Sequence, residues 1–235
     1  MDPSRLLRLS PSASLKEKRL ASLLQGRGPS ERLIEAVENA QVLGSLELAG
    51  LPTTLDELDA ARAGGDAPAA VRGLLRALQV VEPRAPVTIA AFQAWNAAVT
   101  GGTGAMRVSQ RWREGGPPPA PAEFIATRLA LLQEWMNVES GRELKPSQQG
   151  ALVLARIVEI LPFEEGNGRV ARLAASHVMV RAGRRPPLLG REDEGRLPEA
   201  LKLAFRFETE PLSTLLEEAS ERAVDVMIRT LEDMG

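Results

Sequence analysis

A chain of 235 residues, 44% of them hydrophobic, is long enough to bury one sizeable core. Its 29 basic and 31 acidic side chains give a formal charge of −2, which supplies no general attraction to phosphate polymers and excludes nucleic acid as the expected main partner. The absence of cysteine and the single histidine, His177, exclude disulfides, thiol nucleophiles, thiolate metal sites and multi-histidine clusters together.

The opening segment MDPSRLLRLSPSASLKEKRL is too charged for a secretory signal, so the cytoplasm is the default expectation. Leu, Ala, Arg and Glu dominate, and apolar residues recur at three and four, which predicts an all-α chain. Ser14 with Glu17, and Thr54 with Glu57, fit the capping box; Gly26, and then Gly64 and Gly65, close the segments they open. Further helices are predicted at about 31–48, 69–81, 89–99 and 122–137. The remaining ones fall at 147–160, 167–181, 197–207 and 212–233.

Two segments interrupt this pattern. Residues 100–121 (TGGTGAMRVSQRWREGGPPPAP) are too long and too rich in Gly and Pro for a plain connection. They read either as a solvated polyproline linker or as a short hairpin over a site, because MRVSQRW alternates as an extended strand does. Residues 182–196 form a second irregular stretch. The most apolar run, ALVLARIVEILPF, is broken by Arg156 and Glu159 and is not expected to span a membrane.

The segments 147–160 and 167–181 are apolar on nearly every face and are expected in the middle of a bundle. The turn between them is LPFEEGNGRVAR. Gly166, Asn167 and Gly168 open the second helix, where unpaired amides and the positive end of the helix dipole favour an anion. Arg169 and Arg172 lie one turn apart on one side and can converge on a polyphosphate, and Glu165 can offer oxygen to a magnesium ion bridging phosphates.

The whole string resembles the signature of the Fic family, His-Pro-Phe-x-(Asp or Glu)-Gly-Asn-Gly-Arg-x-x-Arg. Pro162, Phe163, Glu165, Gly166, Asn167, Gly168, Arg169 and Arg172 match it. GAMRVSQRW is similar to the family's flap hairpin, WMN at 135–137 to a recurrent helix end, and EALKLAFRFETEPLSTLL to its closing segment, so the resemblance covers roughly residues 67–218. It implies a Fic-fold helical bundle with a short β-hairpin flap, with an N-terminal helical region at 1–66, a core at 67–218 and a C-terminal helix at 219–235. The family's usual activity is transfer of AMP from ATP to a protein hydroxyl. By resemblance, Glu165 holds magnesium, Gly166, Asn167 and Gly168 cradle the phosphates of ATP or another nucleotide, and Arg169 and Arg172 grip their outer end. Phe163 anchors the loop. Met106, Arg107, Val108, Ser109, Gln110, Arg111 and Trp112 form the flap that docks an extended target segment by strand addition. An oligomer is compatible with this reading.

Two positions depart from the family. The first motif position, a histidine that takes the proton from the attacking hydroxyl, is Leu161, and leucine cannot do this. Glu159 points to another side, Glu164 faces outward, and His177 lies roughly 15 Å along the helix axis from Asn167, as an ordinary buried histidine. Upstream, Ser45-Leu-Glu-Leu-Ala49-Gly50 is similar to the family's regulatory helix, with Ala49 where a glutamate would pair with the last arginine. The same segment also reads as a plain packing helix. If it is the regulatory helix, Arg172 lacks an internal carboxylate and is free for phosphate. The favoured expectation is a nucleotide-binding, weakly active or inactive member. The alternatives are a transferase using chemistry that needs no histidine base, and a structural interaction module.

Overall fold

The computed structural model describes residues 15–25, 30–82, 84–112, 118–138 and 143–234. Apolar side chains at helical spacing form ten α-helices among these residues. In chain order they are α1 (Leu15–Leu23), α2 (Glu31–Glu47), α3 (Leu55–Arg62), α4 (Ala69–Val80), α5 (Ile89–Thr100), α6 (Ile125–Asn137), α7 (Pro146–Ile160), α8 (Asn167–Arg181), α9 (Arg196–Ala204) and α10 (Glu210–Glu232). The described residues contain no strand, and no helix among them is long and apolar enough to cross a membrane.

Local chemistry sets the helix starts. The Thr54 side chain accepts from Glu57 N while the Glu57 carboxylate accepts from Thr54 N at 2.9 Å, completing the capping box at α3. The Ser30 and Thr88 side chains cap α2 and α5 by accepting from Leu33 N and Ala91 N. Ser14 and Gly26, expected to bound α1, lie outside the described residues. The helix expected to run to residue 207 stops at Ala204. Phe207 turns left-handed at φ 68°, and Glu208 N bonds back to Leu203 O at 3.1 Å. The next helix starts at Glu210, earlier than expected, because Pro211 is tolerated in a first turn where its missing N–H is not needed.

α7 and α8 pack along each other at the centre, flanked by α6, α9 and α10 on the α7 side and by α5 and α2 on the α8 side. Val153, Leu154 and Ile157 of α7 and Val170, Leu173 and Met179 of α8 are buried, as helices without a wet face must be. A smaller cluster of Leu20, Leu33, Val37, Val224, Met227 and Ile228 joins α1, α2 and α10. The 161–166 turn is therefore held between two buried helices.

Candidate functional site

The site begins where α7 ends. Leu161 adopts the left-handed conformation (φ 52°, ψ 60°), with its N–H bonded to Ile157 O at 3.0 Å. That conformation costs an L-residue roughly 1–2 kcal/mol, so its surroundings must hold it. Arg107 does so. Its backbone N–H donates to Pro162 O at 2.9 Å, its Nε to Leu161 O at 2.6 Å and its Nη2 to Ile160 O at 3.3 Å and Ala120 O at 2.5 Å. Nη1 donates to Ser109 O at 2.6 Å. The last carbonyls of a helix have no partner of their own and carry its negative dipole end, so a guanidinium satisfies them twice over. At 2% exposure Arg107 is buried, and burial lowers its pKa against the opposing pull of Glu164.

The hairpin expected over 106–112 does not form among the described residues, and residues 113–117 lie outside them. In place of a second strand, the segment bonds to the motif loop. Arg107 reaches the carbonyls just named, the Ser109 hydroxyl donates to the Glu164 carboxylate at 2.9 and 3.1 Å, and Arg111 pairs with the same carboxylate. Ser109 first and Arg111 second hold Glu164 below the ordinary carboxylate range. Gln110 donates to Glu123 at 3.2 Å. Met106 is half-buried, whereas Val108 and Trp112 are both 89% exposed. Arg107, grouped by the sequence with the docking residues, therefore faces inward, and Val108 and Trp112 carry the outward face.

Within the loop, Phe163 is buried under the turn. The Asn167 side chain accepts from Phe163 N at 2.9 Å and donates to Phe163 O at 2.8 Å. Both of its polar atoms thus help close the loop. Gly166 is left-handed (φ 79°), and a Cβ there would lie 3.0 Å from Asn96 Nδ2 and Thr100 Cγ2. Asn96, buried on α5, donates to Glu165 O at 2.8 Å and fixes the loop from below. Gly166 offers no side chain to cap α8, and Val170 N bonds to Gly166 O. The amides ahead of Val170 therefore belong to an uncapped helix start, the arrangement that binds anions.

Two cations stand beside these amides. Arg169 donates to Val99 O at 3.3 Å, and burial lowers its pKa while Glu165 opposes that shift. Arg172 donates from Nε to Ser45 Oγ at 2.9 Å and from Nη2 to Ser45 O at 2.6 Å. Burial, and then the nearby Arg169 charge, push Arg172 down to about 10. A Cβ on Gly168 would lie 3.2 Å from Arg172 Nη1, so glycine at 168 leaves that nitrogen room beside the helix start. Arg172 pairs with no carboxylate among the described residues, and Ser45 holds it. Ala49 is exposed in the turn after α2, and Gly50 is left-handed at φ 69°. The Glu47 carboxylate accepts from Arg191 N at 3.2 Å, away from Arg172.

The three side chains weighed from sequence as substitute proton acceptors have other partners. Glu159 pairs with Arg156, Glu164 with Ser109 and Arg111, and buried His177 bonds Ala85 O at 3.0 Å, its ring tilted against Trp95 with centroids 5.5 Å apart. Glu165 is exposed at the loop, and no group of three or more metal-ligating side chains occurs among the described residues. Asn96, the Arg107 anchor and the Ser109–Glu164–Arg111 tie were not found from sequence. Asn96 alone left a signal, as one of two polar residues, with Gln93, in the largely apolar IAAFQAWNAAV.

Residues 86–179 match the Fic/DOC family. The protein adenylyltransferase Fic of Drosophila melanogaster is 28% identical over 131 residues, which cover 56% of this chain and 26% of that protein. This chain thus spans little more than a quarter of that relative's length. Among solved structures, Fic-1 of C. elegans superposes with a TM-score of 0.77 at 20% identity, over 94% of this chain and 74% of that one. BepC of Bartonella tribocorum, solved with bound AMPPNP, superposes with a TM-score of 0.50 at 16% identity, over 73% of this chain and 89% of that one. Residues 86–179, with the motif loop, are thus similar to the Fic/DOC family, and the chain shares the fold of solved Fic structures.

Proposed function

We propose that the 161–172 loop is a nucleotide site that binds through phosphates and is uncoupled from AMP transfer. The observation that carries this is the asymmetry of the loop. Gly166 and Gly168, the uncapped amides of α8, Arg169 and Arg172 are assembled at one end, and Leu161, which cannot accept a proton, occupies the other. The adenylyltransferase name of the Drosophila relative and the AMPPNP bound to BepC support a nucleotide as the ligand. The α8 amides would take the inner phosphates, and the two guanidiniums would grip the outer end. Asn167 would orient the loop rather than touch the ligand with its side chain.

Glu165 fits a magnesium ion shared with phosphates, since its backbone is pinned by Asn96 while its carboxylate stays exposed beside the loop. Such an ion would neutralise phosphate charge. A target segment would lie along Val108 and Trp112. Loss of the base removes a contribution on the order of 10²–10⁴ in rate, which makes this a weak or silent transferase. The structural-module reading pairs these arginines with protein carboxylates, whereas Arg172 has the neutral acceptors of Ser45.

Calorimetry of the full chain with ATP and magnesium tests the reading. Binding that Arg169→Ala weakens is expected; no heat at millimolar nucleotide would overturn it. ATP labelled at the α or γ phosphate would reveal any residual transfer, and label transfer lost in Glu165→Ala would favour a working enzyme.

A further inference from the structure

The contact between Arg172 and α2 carries more than the absence of a glutamate. Two polar bonds one helical turn apart join the helices: Gln41 Nε2 to Ser176 Oγ at 3.1 Å, and Arg172 to Ser45. Moving four residues forward on α2 moves four back on α8, so the helices run antiparallel in a fixed register. Gln41, Ser45 and Ser176 are all buried. At the end of α2, Ala49 N turns to Leu46 O at 2.9 Å, and Leu48 N has already bonded Gly44 O. This turn leaves Ser45 O among the orphan carbonyls of the helix end, and Arg172 Nη2 takes it.

Ser45 therefore offers Arg172 two acceptors, one a hydroxyl and one a carbonyl at the negative end of a helix dipole. Neither carries a formal charge. A carboxylate in the same place would orient the guanidinium and also neutralise it, whereas these acceptors orient it and leave its full charge for a ligand. The cavity beside the contact, lined by Gln41, Leu74, Leu78 and Leu189 among others, measures about 10 Å³, room for a water at most. No phosphate can insert between Ser45 and Arg172. On the other side, Nη1 lies beside Gly168 at the start of α8.

We infer that Ser45 is a positioning residue for nucleotide binding: it holds Arg172 through uncharged acceptors so that Nη1 faces the outer phosphate, making α2 a support for the site rather than a brake on it. This rests on the phosphate-site reading above. It differs in sign from a competing latch, because a latch must release Arg172 before phosphate binds, whereas a support keeps its bonds when the site is filled.

The experiment is titration of the full chain with magnesium-ATP and with AMP, for the unaltered protein and for Ser45→Ala, Ser45→Thr and Ala49→Glu. Ser45→Ala is expected to weaken ATP binding about tenfold, the scale of one hydrogen bond to a charged group. AMP binding should change far less, since AMP lacks the outer phosphates, and Ser45→Thr should restore the ATP affinity. Ala49→Glu, which places a carboxylate four residues past Ser45, should weaken ATP binding. In ¹⁵N spectra the Arg172 Nε–H signal should remain protected when ATP is added. Tighter ATP binding by Ser45→Ala, or loss of the Nε–H protection on ATP addition, would show a competing latch and overturn the inference. Unchanged affinity in Ser45→Ala would overturn it while leaving the phosphate site standing. If the unaltered protein binds no nucleotide, the phosphate site itself falls and the inference falls with it.

Discussion

At the α8 end of the loop lie two glycines, the uncapped amides of α8 and two half-buried arginines. At the other end, a buried arginine satisfies three successive carbonyls around a left-handed leucine. Both ends are held with equal care. The backbone at position 161 is fixed, strain included, around a side chain that cannot take a proton. Under the proposed function, the groups that shape this backbone and a group that would perform a chemical step are separate requirements.

That comparison is sharpened most by Leu161→His. If only the side chain has changed, AMP transfer should rise by on the order of 10²–10⁴, read from α-labelled ATP and a protein acceptor. No gain would mean that the flap or pocket has diverged as well. Phe163 lies beneath both ends, and Phe163→Ala should cost about 3–5 kcal/mol in denaturant unfolding. A cost near zero would show that the two ends do not share this anchor. The smallest effect concerns the tie between loop and flap. Glu164 is held below its ordinary value of 4.5 by Ser109 and then Arg111. Its contribution is present above that value and is lost as pH falls through the lowered one. Protection of the amides at residues 107–111 against exchange should therefore fall as pH drops through the lowered Glu164 value, and should already be low at neutral pH in Glu164→Gln. Equal exchange in the two proteins at neutral pH would remove Glu164 as the tie.

Much of the fold was legible because it rests on local rules. Thr54 and Glu57 cap α3 as their spacing demands, and the all-round apolar α7 and α8 lie at the centre. The motif loop was legible as a string. The flap was not: the alternation in MRVSQRW suggests an extended strand, yet no strand forms among the described residues, Arg107 is buried, and Val108 and Trp112 are exposed. Arg107 bonds carbonyls more than fifty positions away, at the end of α7, and no local pattern marks a side chain whose partners are backbone atoms. Ser45 was legible as a position and not as a role, because its acceptor exists only once the end of α2 turns and leaves a carbonyl unpaired.

The most direct test of the account is the heat of magnesium-ATP binding to the full chain, measured beside Arg172→Ala. The account predicts saturable binding at or below millimolar nucleotide, lost in Arg172→Ala, without AMP transfer at an appreciable rate. No binding by the unaltered chain, or equal binding by the two, would contradict it.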